Sequence, residues 1–197
     1  MKFSLLSVAL GALLFSNAAD AQLGVAKKVL PKVTVGAKAG LNMQQVSGDY
    51  VENAFGAGIV GGVFVGVSKK KMGVRVEGLV KSAKISYATG GSYIKTVGLD
   101  IPVLFQYSPV QRLKLHIGPQ FSMLLSAKDN ADTDVKSLLN SSDIAAAVGA
   151  DVYLPFKLTV GARYIKGFSN LNNTSIPGSG DWTTSTIQVT VGYRFLN

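Results

Sequence analysis

The chain of 197 residues contains no cysteine, which excludes disulfides, thiolate nucleophiles and cysteine-ligated zinc. Histidine is nearly as scarce: His116 stands alone, and metal or triad chemistry ordinarily needs a second histidine or a cysteine. Charged residues amount to 16%, against about 25% in an average soluble domain. Beyond residue 15 no apolar stretch approaches the ~20 residues that a membrane-spanning helix requires. Yet hydrophobic residues make up 47% and the mean hydropathy is +0.28. A chain this apolar without a spanning helix must carry its apolar side chains in another repeating structure.

The N terminus reads as an address. Lys2 precedes the apolar run FSLLSVALGALLF at 3–15, and Ala19-Asp20-Ala21 fits the small-x-small cleavage rule. Residues 1–21 are therefore expected to be a secretory signal peptide, residues 22–32 a short periplasmic leader, and 33–197 a single domain. Cleavage removes one lysine and one aspartate, so the formal charge of +9 is unchanged. An excess of that size could serve nucleic acid, but the export route argues against it. Lys69-Lys70-Lys71 is also the only tight basic cluster.

What fills the chain is alternation. In VTVGAKAGLNM at 33–43, Val33, Val35, Ala37, Ala39, Leu41 and Met43 alternate with Thr34, Gly36, Lys38, Gly40 and Asn42, the period of a β-strand with one apolar face. Seven further runs do the same: 55–68, 72–81, 93–108, 113–126, 144–154, 158–167 and 186–195. Most exceed the usual five or six residues of soluble strands and suit the roughly 9–11 tilted residues that cross a bilayer. Breaks after the second, fourth and sixth runs are short, and those after the others mostly longer, as in transmembrane barrels. The pattern predicts an all-β chain folded as an eight-stranded antiparallel up-and-down transmembrane β-barrel.

Glycine decides which face is inside. Gly36, Gly40, Gly56, Gly58, Gly62, Gly66, Gly98, Gly118, Gly149, Gly161 and Gly192 share the polar parity. On a soluble outer surface they would pack nothing, whereas in a narrow lumen they leave room for long polar side chains. That lumen is expected to hold a mixed-charge network of Lys38, Arg75, Glu77, Lys81, Asp100, Gln106, Lys114, His116, Gln120, Asp151, Arg163, Gln188 and Arg194, satisfied by mutual pairing. Val60, Phe64, Leu79, Leu104, Leu124 and Ile165 fall on the same parity, so they are either apolar plugs in a barrel just wide enough to be filled or marks of a bulge. Outside, Phe105, Tyr107, Phe156, Tyr193 and Phe195 gather near strand ends as an interfacial aromatic girdle facing lipid.

With strands and parity in place, GAKAGLNMQQVSG (36–48), LDIPVLFQY (99–107), IGPQFSMLLSAK (117–128), GARYIKGFSN (161–170) and VGYRF (191–195) resemble the outer-membrane protein β-barrel domain family. Its members are often called porin family proteins and include PorT-like proteins. The resemblance implies a small outer-membrane barrel, usually without an assigned activity, inserted by machinery that reads a terminal aromatic. Leu196-Asn197 follow Phe195 here, so Tyr193 and Phe195 would take that part.

Other motifs carry less. GAGIVG at 56–61 matches G-x-G-x-x-G with Glu77 about twenty residues on, but the alternation runs straight through it and leaves no strand-to-helix turn. Asp129, Asp132 and Asp134 miss the spacing of a calcium loop and lack its distal glutamate. Asn140, Asn172 and Asn173 head glycosylation sequons, which count for little in a bacterial-type outer membrane. No catalytic residue, cofactor or metal site is expected. The functional expectation is a structural or interaction barrel with a plugged interior, meeting outer-membrane lipid and contacting a protein partner through the segments 127–141 and 170–182. The alternatives are a narrow pore with weak anion preference, because cations outnumber anions in the inferred lumen, and an accessory role in protein export, which follows from the PorT-like resemblance alone.

Overall fold

The computed structural model describes residues 31–48, 51–86, 93–128, 133, 142–169 and 183–196; the expected signal peptide and most of the leader lie outside them. Eight strands occupy the described residues: β1 (Lys32–Gly48), β2 (Val51–Lys69), β3 (Met72–Ser86), β4 (Tyr93–Val110), β5 (Leu113–Lys128), β6 (Ser142–Tyr153), β7 (Leu158–Gly167) and β8 (Thr183–Leu196). Each pairs antiparallel with the next, and β8 closes on β1 through pairs such as Lys38↔Gly192 and Leu41↔Val189. Closure removes every sheet edge, which is what an apolar surface around polar backbone demands. β1 opens at Lys32, one residue before the expected start.

The period-2 pattern is expressed as two faces of opposite character. Val60, Phe64, Leu79 and Leu104 are buried together with Lys38, Arg75, Glu77, Asp100, Asp151 and Arg163, while Leu41, Ile59, Val76, Val148 and Val189 are exposed. Apolar side chains thus cover the outside and charge fills the inside, the inverse of a soluble barrel. Five of the six apolar residues on the polar parity (Val60, Phe64, Leu79, Leu104 and Ile165) are buried in the lumen; Leu124 is half-buried.

Two departures from simple alternation have local causes. Ser126, on the interior parity by count, pairs with Val97, whereas Leu124 pairs with the next residue, Gly98. The extra residue is a bulge, and it reverses parity: Ala127 becomes fully buried and Ser126 only half-buried. The second concerns connections. Only residues 49–50 separate β1 from β2, because both strands extend beyond the alternating runs.

The turn-side end is tightly tied. β2 joins β3 through Lys70-Lys71 and β4 joins β5 through Gln111-Arg112. Between β6 and β7, Leu158 N donates to Pro155 O at 3.3 Å, and both central residues, Phe156 and Lys157, have positive φ (58° and 62°). This is the double left-handed geometry of hairpin turns that Asn-Gly usually fills; here two bulky residues hold it.

Candidate functional site: the charged lumen

The centre of the lumen is Glu77, projected inward from the middle of β3 and 2% exposed. From β7, on the far side of the barrel, Arg163 grips its carboxylate with two parallel bonds of 3.0 Å, NH1 to Oε2 and NH2 to Oε1, the strong bidentate form of a guanidinium pair. Lys38 of β1 pairs its Nζ with Oε2. Arg75 Nε lies 2.9 Å from Oε1 without hydrogen-bond alignment. One carboxylate therefore gathers three cations from three strands.

Arg75 reaches onward to Asp151 of β6, its NH2 donating to Oδ2 at 2.6 Å, and its guanidinium lies 5.3 Å from the centre of the Phe64 ring. His116 of β5 lies between the two arginine arms. Its Nε2 accepts from Arg163 Nε at 3.2 Å, which places the ring proton on Nδ1, 3.5 Å from Asp151 Oδ2. That Nδ1 is buried without an aligned hydrogen-bond acceptor among the described residues, and the sequence holds no second histidine to share a metal. Among the described residues no group of three metal-ligating side chains converges.

The remaining expected lumen residues take separate places. Lys81 pairs with Asp100 at 2.8 Å near the loop-side end, the lysine side chain 28% exposed. Gln120 Nε2 donates to Ser122 Oγ at 3.3 Å, and Gln188 Nε2 to Asn42 Oδ1 at 3.0 Å. Gln106 is buried, with its Nε2 unpartnered among the described residues. Lys114 and Arg194 sit nearer the turn-side mouth, on the ring of Tyr153 at 4.9 and 4.3 Å. Asn42 and Tyr153 are parts of the lumen that the expected polar network omits, although both share its parity. Outside, Phe105, Tyr107, Phe156, Tyr193 and Phe195 are all exposed, with the Tyr193 and Phe195 rings edge to face at 5.6 Å. The segments 129–132, 134–141 and 170–182 lie outside the described residues.

The lumen glycines are of two kinds. A Cβ on Gly161 would strike Asp151 Oδ1, and one on Gly192 would come 2.6 Å from Thr159 Oγ1, so these two make room for lumen side chains. At Gly40, Gly58, Gly62 and Gly118 the added carbon would instead strike a carbonyl oxygen of the neighbouring strand. There the glycine permits close backbone approach, as strands curving tightly into a small barrel require.

A closed antiparallel barrel, apolar outside and ion-paired within, is a transmembrane β-barrel. The family model described as "Outer membrane protein beta-barrel domain" matches residues 21–173, and the chain belongs to that family. Among solved structures it is similar to Neisserial surface protein A, at 13% identity and a TM-score of 0.60, covering 82% of this chain and 97% of that one. It is also similar to Ail, the attachment invasion locus protein of Yersinia pestis, at 12% identity and a TM-score of 0.53, covering 83% and 99%. At such identity the likeness is one of fold. A comparison with curated protein sequences finds no match.

Proposed function

We propose that this outer-membrane barrel is a closed structural and interaction barrel, not an enzyme and not an open pore, whose loop-side segments meet a protein partner. The observation that carries this reading is the Arg163–Glu77 pair. It joins β7 to β3 across the lumen, and Lys38, Arg75, Asp151 and His116 pack around it. Leu79 and Leu104, both fully buried, add apolar bulk. An ion needs a hydrated path, and a lumen whose charges are spent on one another offers little of one.

In this reading residues 1–21 direct export and 22–32 lead into the barrel. The short turns face the periplasm, and Tyr193 and Phe195 serve the insertion machinery. The longest connections, 129–141 and 168–182, then face outward as the surface on which a partner would act.

Planar-bilayer recording of the full chain tests the closed lumen. The native barrel is expected to give no stepwise conductance. Steps with an anion-selective reversal potential, moved toward cations by Lys38→Glu or Arg163→Glu, would establish the narrow-pore alternative instead.

A further inference from the structure

Six exposed cations ring the turn-side end of the barrel. Lys32 opens β1, Lys69, Lys70 and Lys71 make the β2–β3 corner, Arg112 sits between β4 and β5, and Lys157 between β6 and β7. Their backbone is held in place by the strand next door. Lys71 O accepts from Ser108 N at 2.7 Å, Arg112 O from Tyr153 N at 2.7 Å, and Lys157 O from Arg194 N at 3.0 Å. Just inside the mouth Lys114 and Arg194 add positive charge over the ring of Tyr153. Among the described carboxylates Asp151 comes nearest, and it is engaged by Arg75. Glu77 and Asp100 lie deeper, and Asp143 is near the opposite end of β6.

A second feature coincides with this ring. Lys70, Phe156 and Lys157 are the non-glycine residues with positive φ among those described, and all three lie on it. Such backbone is costly for L-residues and persists only where the surroundings impose it. Here it holds Phe156 outward at 87% exposure beside Lys157, and Met72 (70%), Val110 (60%) and Phe195 (55%) complete an exposed apolar collar. Each collar residue adjoins a ring cation: Met72 follows Lys71, Val110 is two positions from Arg112, Phe156 precedes Lys157, and Phe195 O accepts from Lys157 Nζ at 3.4 Å.

We propose that this rim binds the headgroups of anionic phospholipids in the leaflet it meets. The collar sets the cations at the depth where acyl chain gives way to phosphate, and lysine and arginine can lay their stems along the apolar boundary with the charge at its edge. A rim of fixed cations with no free carboxylate among its described neighbours complements an anionic surface; a soluble acidic partner would leave the apolar collar uncovered. The inference rests on the membrane-embedded barrel of the proposed function, though not on which way that barrel faces.

The full chain is reconstituted in vesicles of equal parts phosphatidylglycerol and phosphatidylcholine, extracted with mild detergent, and the retained lipids are quantified. The native barrel is expected to retain phosphatidylglycerol preferentially, and high salt during extraction to weaken that preference. Each cation near an anionic surface is worth roughly fivefold in affinity. The combined Lys69→Gln, Lys71→Gln, Arg112→Gln variant should therefore lose the enrichment by roughly tenfold or more, while Lys69→Arg, Lys71→Arg, Arg112→Lys keeps it. Equal retention of the two lipids by the native barrel, or undiminished enrichment in the glutamine variant, would overturn the proposal. Gel migration of boiled and unboiled samples reports on the barrel separately. If native protein shows no heat-dependent shift, the embedded barrel itself fails and the lipid rim fails with it.

Discussion

Glu77 is buried and receives cations from β1, β3 and β7, so removing either side of its pairs leaves charge without compensation. Breaking a buried pair in this way typically costs about 3–5 kcal/mol, and the two halves here are not equivalent. Arg163→Gln still leaves Glu77 paired with Lys38 and Arg75. Glu77→Gln leaves Lys38, Arg75 and Arg163 converging on a neutral amide, with Asp151 engaged by Arg75. Urea titration read by the heat-dependent gel shift should therefore place Glu77→Gln lower in stability than Arg163→Gln. The double variant should cost less than the sum of the two singles, because the residues share one network. Equal losses that add independently would show that the cluster does not act as a unit. At this scale, membership of the lumen was legible from parity alone, but the partners were not: Glu77 and Arg163 are 86 positions apart. Only closure of the barrel brings them face to face. Asn42 and Tyr153 lie on the same face by parity, but what gives them a part, the Gln188 amide and the Lys114 and Arg194 cations, comes from other strands.

At the scale of the strand, glycine has two meanings that the sequence writes with one letter. Gly118 lies where an added methyl would strike the carbonyl oxygen of Val103 on β4, whereas a methyl on Gly78, which faces outward, meets nothing within 4 Å. Gly118→Ala should thus cost about 1–3 kcal/mol through overpacking against backbone. Gly78→Ala should be neutral or stabilise by about 0.5–1 kcal/mol, since glycine in a strand carries extra chain entropy when unfolded. The same urea titration checks both, and equal effects would remove the distinction drawn here. Sequence alternation located these strands well because side-chain parity is fixed by backbone geometry. It fails at the β5 bulge, where one extra residue between Leu124 and Ser126 turns Ala127 inward. No residue type marks that bulge, since it answers to the register of β4 and not to any preference local to β5.

For the molecule as a whole, everything turns on which face meets lipid, and that can be tested without knowing the partner. The outer surface carries Leu41, Val148 and Val189 near mid-strand and Met72 at the first position of β3, all exposed. Arginine facing the bilayer midplane costs about 2–4 kcal/mol, and near the interface about 0–1 kcal/mol. In a lipid-embedded barrel, Val189→Arg should therefore lose most of that larger amount. Met72→Arg, beside the cationic corner at Lys69–Lys71, should lose little. In a barrel whose exposed face met water, both substitutions would sit in solvent and neither would cost more than a few tenths of a kcal/mol. Folding the two variants into phosphatidylcholine vesicles and titrating each with urea separates the cases. A large loss at Val189 with almost none at Met72 would measure a depth profile, which requires a bilayer; two small and equal losses would place this apolar wall in water.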